Sequence, residues 1–150
     1  MEDCNNCKIV TSDSKKSEPI EINIATYNVA NSLLDEKSDI NNFFLREEFI
    51  LKLITKLKET GIDILTLTEL RPYKNRITGE MRYPPYFLGK INEYAHIYDY
   101  MSGNPLSFAM AILYDRTKVY PVKTVKYWLS ETYEVPSDSW VMVLEEFHLE

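Results

Sequence analysis

The stretch FFLREEFILKLITKLKETGIDILTLTEL, residues 43–70, decides the fold. Phe43, Leu45, Phe49, Ile50, Leu53, Ile54 and Leu57 recur at helical spacing, so an amphipathic helix is expected over Phe43–Thr60. Glu48 and Lys52 make a favourable i,i+4 pair on its flank. Gly61 is the residue a helix C-terminus favours, because it takes a positive φ at no steric cost. Ile62–Thr68, IDILTLT, is short, β-branched and nearly unbroken, the pattern of an interior parallel strand. Upstream, Ile20, Ile22 and Ile24 alternate with Glu21 and Asn23, which predicts a half-buried strand over Ile20–Asn28. Strand, helix, strand is a βαβ unit with an expected right-handed crossover, and it places the chain in the α/β class.

Outward from this unit the pattern weakens but continues. A short helix is expected over residues 87–94, then strands over His96–Tyr100, Ser107–Tyr114, Val119–Leu129 and Trp140–Leu149. Asp115-Arg116-Thr117-Lys118 predicts the turn between the second and third of these strands, and the coil Ser130–Ser139, with Pro136, interrupts the ladder before the last. Residues 1–19 (MEDCNNCKIVTSDSKKSEP) are polar and aperiodic and read as a flexible tail, leaving 20–150 as one domain or a portion of one. No internal repeat is visible.

Composition bounds the function. With 45% hydrophobic and 13% aromatic residues in 150, the chain has material for a core that buries about two-thirds of its unfolded surface. It has no run of 18 apolar residues and no secretion signal at Met-Glu-Asp-Cys, so an intracellular, cytoplasmic location is expected. Cys4 and Cys7 have the spacing of a redox or zinc-knuckle pair. They lie in a tail without the βαβ context of the first, and His96 and His148 are remote in sequence, so incidental cysteines are expected.

The net charge of −6 argues against coating a nucleic acid through bulk charge. Glu131, Glu134, Asp138, Glu145, Glu146 and Glu150 carry all of it, and the first 129 residues are balanced. Within these, the loop Leu70–Tyr86 holds Arg71, Lys74, Arg76 and Arg82 against Glu80. Such a loop suits one phosphate or a short strand, unless its charges are simply solvated.

Strands of a parallel pair share their carboxyl edge, where open α/β sheets bind ligands. Asn28 and Glu69 stand there. Asn28 shares the parity of Ile20, Ile22 and Ile24, and Glu69 that of Leu65 and Leu67, so both are expected to face the apolar side and need partners. A hard cation, Mg²⁺ or Mn²⁺, satisfies an amide and a carboxylate together. An ion pair of Glu69 with Arg71 or another base, with Asn28 capping a turn, satisfies them separately.

Four segments in order resemble the endonuclease/exonuclease/phosphatase superfamily, the DNase-I-like fold: IATYNV (24–29), DILTLTELR (63–71), FAMAILYDR (108–116) and YWLSETYEVPSDSW (127–140). The resemblance implies a four-layer α/β sandwich of two mixed sheets with helices outside, of which this chain holds the N-terminal half. It implies Mg²⁺- or Mn²⁺-dependent hydrolysis of a phosphoester, with substrates in the family ranging from nucleic acids to inositol phosphates and sphingomyelin. By position Asn28 matches the motif asparagine and Glu69 the principal metal-binding glutamate, which makes both of them candidate catalytic and metal residues. Arg71 is a candidate for orienting an anionic substrate.

No segment after Glu69 matches the family's Asp-x-Asn motif or its Asp-His pair, so the chain alone is expected to be nearly inert as a hydrolase. Phe147-His148-Leu149-Glu150 faintly resembles a further histidine motif of the family but follows Trp140 too closely. Glu146, His148 and Glu150 would share one strand face, as a metal cluster or as a solvated chain end. The competing expectation is a non-catalytic binding or assembly unit. A half-sandwich exposes the sheet face meant for its other half, to be covered by a second copy or a partner subunit.

Overall fold

The structure is a computed structural model describing residues 20–30, 42–100, 104–135 and 141–149, with 141–145 described by their backbone. The expected tail with Cys4 and Cys7, and Trp140, lie outside these residues. The elements are β1 (Ile24–Asn28), α1 (Phe43–Glu59), β2 (Ile64–Leu70), β3 (Tyr73–Lys74), β4 (Met81–Arg82), α2 (Pro84–Leu88), β5 (Ala95–Tyr100), β6 (Ala109–Tyr114), β7 (Val119–Trp128) and β8 (Val141–Leu149). One sheet has the order β1-β2-β6-β5, with β1 parallel to β2 and β6 antiparallel to both of its neighbours. The βαβ unit is therefore present. Strands β7 and β8 form a separate antiparallel hairpin, and β3–β4 a small one. Among the described residues no helix is long and apolar enough to cross a membrane.

The Asn42 side chain caps α1 by accepting the Phe44 N–H at 3.0 Å, and Gly61, at φ 90, follows its last turn. The buried stripe differs from the expected one. It runs through Phe43, Glu47, Ile50 and Ile54, whereas Leu45 and Phe49 remain 52% and 67% exposed. Offsets of 4, 3 and 4 residues keep one narrow line against the sheet, and Leu45 and Phe49 stand round the helix from it. The second helix spans Pro84–Leu88 rather than 87–94, starting early because a proline costs nothing in the first turn, where the N–H has no partner anyway.

These helices cover one face of the sheet, where Phe43, Ile50, Ile54, Phe87 and Leu88 meet Leu65, Leu67, Leu70, Ala109, Ala111 and Leu113. The parity expected for β1 is thereby corrected. Ala25 pairs with Leu65 and Tyr27 with Leu67, and register partners share a face, so Ala25 and Tyr27 turn to the core. Ile24 is left 67% exposed, and Asn28, which has its parity, faces away from the helices. The parity of Glu69 is corrected as well. Leu67 pairs with Ala111 but Leu70 with Ala109, so β2 spends one residue more than β6 between those pairs. This bulge hands the core-facing place to Leu70, and Glu69 sits half-buried within it.

The β7–β8 hairpin reaches the opposite face. The Phe147 ring lies 5.5 Å from Tyr114, and Lys126 pairs with Asp99, the register partner of Met110. Ile64 is buried on this side, and Met110, Ile112 and Tyr114 are half-buried. Helices, sheet and hairpin thus make three layers, and the second face is partly covered rather than bare.

At the start of β2, Asp63 accepts from the Asn23 N–H at 2.9 Å and from Lys118 at 2.7 Å, and Asp115 pairs with Lys58. Burial pushes the Asp115 carboxyl up, but Lys58 and the Thr117 hydroxyl and amide pull it further down, to about 2. A folded value below the unfolded one means that this contribution is complete above about pH 4 and is lost as pH falls through 2. Urea midpoints should therefore fall between pH 4 and pH 2. In Lys58→Met the midpoint should be lower at pH 6 and the acid-induced fall smaller, and an equal fall in both proteins would contradict the pairing.

Candidate metal and phosphate site

Both candidate ligands sit on the carboxyl edge of the parallel pair. The register places Asn28 opposite Thr68, and Glu69 follows directly. Immediately after Asn28 the buried Val29 donates its N–H to the Thr68 carbonyl at 3.1 Å, tying the exit of β1 to β2. Asn28 Oδ1 accepts the Ala30 N–H at 2.7 Å, closing a turn in which Ala30 takes a φ of 48. That bond engages one lone pair of the amide oxygen and sets the direction of the Nδ2 donor. An amide held in this way can donate from Nδ2 to an anionic oxygen.

Glu69 has a φ of 60. A residue with a Cβ in that region costs on the order of 1 to 3 kcal/mol and persists where its surroundings over-determine it. Here Leu67 and Leu70, both buried, fix the chain on either side. The Arg71 guanidinium stacks over the Phe108 ring, 4.4 Å from its centroid, two residues beyond Glu69 in sequence. The structure therefore brings Asn28 and Glu69 to one place, and it anchors Arg71 on an aromatic ring next along the chain. One carboxylate and one amide do not make an all-protein cage. They do suit Mg²⁺, which keeps several waters and takes substrate phosphate oxygens.

The basic loop proves less free than its sequence suggests. The Arg82 guanidinium lies 4.2 Å from the Tyr86 ring and 5.7 Å from that of Phe44, and its Nη1 is 3.4 Å from Glu47. Glu47, only 5% exposed, also accepts from the Tyr73 hydroxyl at 2.6 Å and pairs with Lys90. Burial, with the Glu47 charge beside it, pushes the Tyr73 hydroxyl far above its ordinary range. Sequence reading overlooked Glu47, although its position four after Phe43 and three before Ile50 puts it in the buried stripe.

His148 does not join this site. It pairs across the hairpin with Tyr120, whose hydroxyl lies 3.4 Å from its Nδ1. Its neighbour Phe147 touches Tyr114, the partner of Ile64 at the start of β2, which is the opposite end from Glu69. Glu146 stands opposite Lys123 in register, and Glu150 lies outside the described residues. Among the described residues no three His, Cys, Asp or Glu side chains gather as a metal cluster.

No protein-family model matches the sequence, and no curated protein is similar to it. Solved structures do match. An endonuclease/exonuclease/phosphatase family protein from Bacteroides thetaiotaomicron is 21% identical with a TM-score of 0.66, over 89% of this chain and 48% of that one. A mannosyl-6-phosphatase of Bacteroides thetaiotaomicron VPI-5482 is 21% identical with a TM-score of 0.63, over 86% and 46%. A functionally unknown conserved protein from Enterococcus faecalis V583 is 21% identical with a TM-score of 0.64, over 84% and 46%. The chain spans about half the length of the solved structures it matches. Its fold is that of the endonuclease/exonuclease/phosphatase proteins, the DNase-I-like α/β sandwich that the four sequence segments imply.

Proposed function

We propose that this chain carries one half of the site of a Mg²⁺- or Mn²⁺-dependent phosphoester hydrolase. The observation that supports it is the meeting of Asn28 and Glu69 on one sheet edge, Glu69 at a positive φ and Asn28 closing a turn in which Ala30 takes one. Neither the turn after Asn28 nor the bulge at Glu69 is needed to continue the sheet. The phosphatase named among the solved structures of this fold agrees with a phosphoester substrate, of which a nucleic acid or a sugar phosphate is an example. The bound cation would polarise the phosphoryl oxygens and stabilise the leaving oxygen. Glu69 would hold it through its carboxylate, with Asn28 beside it. Asn28 Nδ2 would donate to a phosphate oxygen, and Arg71, anchored on Phe108, would orient a second. In the resembled family the water is activated by an Asp-x-Asn motif and the phosphate contacted by a histidine. On this reading both groups would come from beyond these 150 residues, and the chain alone would turn over little substrate.

A second reading, a non-catalytic binding module, rests on the incompletely covered sheet face with its exposed Ile24. Calorimetric titration with Mn²⁺ separates the two. Binding is expected in the unaltered chain and absent in Glu69→Ala. Glu69→Gly should also lose binding while gaining roughly 0.5 to 1 kcal/mol of stability, because glycine relieves the positive φ. No Mn²⁺ binding, or binding that survives Glu69→Ala, would favour the module.

A further inference from the structure

We infer that Arg46 is the positioning residue of the Asn28 turn; its consequence for the metal site rests on the function proposed above. Arg46 is the fourth residue of α1 and closes its first turn, far along the sequence from Asn28. Its guanidinium forks onto the two carbonyls that follow Asn28: Nη1 donates to Val29 O at 3.1 Å and Nη2 to Ala30 O at 2.9 Å. Two parallel donors in a rigid plane fix both the distance and the tilt of the acceptors, which a single ammonium cannot do. The acceptors belong to the same two residues whose N–H groups make the bonds that hold Asn28. The Val29 N–H goes to Thr68 and the Ala30 N–H to Asn28 Oδ1. Val29 is therefore held by the strand through its N–H and by the helix through its carbonyl, and Ala30 by the Asn28 side chain and by the helix. The positive φ of Ala30, unfavourable for a residue with a Cβ, is sustained within that clamp.

The next residue of α1 does the same for the other ligand. Glu47 grips Tyr73 and Arg82 in the β3–β4 hairpin, whose first strand begins four residues after Glu69. Consecutive residues of one helix turn thus hold the chain that leaves each candidate ligand. The distance between Asn28 and Glu69 is referred to the rigid body of α1 and not to the loops.

Hydrogen exchange and Mn²⁺ titration of the full chain test this with Arg46→Ala and Arg46→Lys. In Arg46→Ala the Val29 and Ala30 amides should exchange about tenfold faster, while the Ile50 and Ile54 amides of α1 keep their rates. Arg46→Lys keeps the charge but has one donor head for two carbonyls, and should recover only part of the protection. The Mn²⁺ affinity should fall about threefold to tenfold in Arg46→Ala, with Glu69→Ala as the zero. Unchanged Val29 and Ala30 exchange in Arg46→Ala would overturn the assignment, whatever the metal does. Full protection in Arg46→Lys would overturn the bidentate clamp. If the exchange result holds but the unaltered chain binds no Mn²⁺, Arg46 still positions the turn, and the metal reading fails instead.

Discussion

Glu47→Ala should cost the fold about 3 to 5 kcal/mol, the range for removing one partner of a buried ion pair. The loss comes from what is left behind. Arg82 and Lys90 lose their carboxylate, and the Tyr73 hydroxyl loses its acceptor in a buried place. Total stability of a domain is on the order of 5 to 15 kcal/mol, so a large fraction is at stake. The adjacent glutamate is the control. Glu48 is 82% exposed in its side chain and pairs with an exposed Lys52, so Glu48→Ala should leave the urea midpoint almost unchanged. Urea unfolding of the two variants makes the comparison, with Glu47→Gln expected between them. Equal, mild losses at both positions would mean that the Glu47 cluster does not hold the β3–β4 hairpin to α1.

The 150-residue chain in isolation should self-associate or bind a hydrophobic dye. The β7–β8 hairpin shields the Ile64 and Tyr114 part of the second sheet face, but its cover thins toward β1, where Ile24 is exposed, and Met110 and Ile112 are only half-buried. Each such side chain forgoes part of the roughly 1.5 to 3 kcal/mol that full burial gives. A second copy, or a partner subunit, would recover that energy by completing the layer. Light scattering on dilute protein should show dimers or larger species, and Ile24→Asp with Ile112→Asp should shift them toward monomer. A cooperative, dye-silent monomer would show that the hairpin cover suffices.

Much of the fold was legible where a local pattern and a tertiary demand coincide. Helix α1, its stop at Gly61, the buried strand after it and the turn at Asp115 all carry signals within a few residues. The meeting of Asn28 and Glu69 at one edge was legible for a topological reason, since a parallel pair aligns its carboxyl ends. Which way they face was not. The face of β1 is set by its register against Leu65 and Leu67, which outweighs the isoleucines of its own pattern. The bulge at Glu69 has no residue signal, because a glutamate does not announce a positive φ as glycine would. Glu47 and Arg82 illustrate another limit. A charged side chain on an apolar stripe reads as an interruption until the partner that neutralises it, remote in sequence, is in view.

The strand order has a consequence in time. Strand β6 lies between β2 and β5, so the second edge of β2 must wait for a strand that arrives roughly forty residues later. Helix α1 can form in microseconds from local contacts, whereas closing that loop carries an entropic barrier of about 3 kcal/mol by its length alone. The bulge that sets the backbone of Glu69 is defined by the β2–β6 register and has no existence before those strands dock. During synthesis, a nascent chain that ends between Leu70 and Ala109 holds the complete βαβ unit yet lacks the shape of the candidate ligand Glu69. The geometry of the candidate site is therefore acquired late, in one step with closure of the sheet, and its rate of appearance should follow sheet closure instead of helix formation.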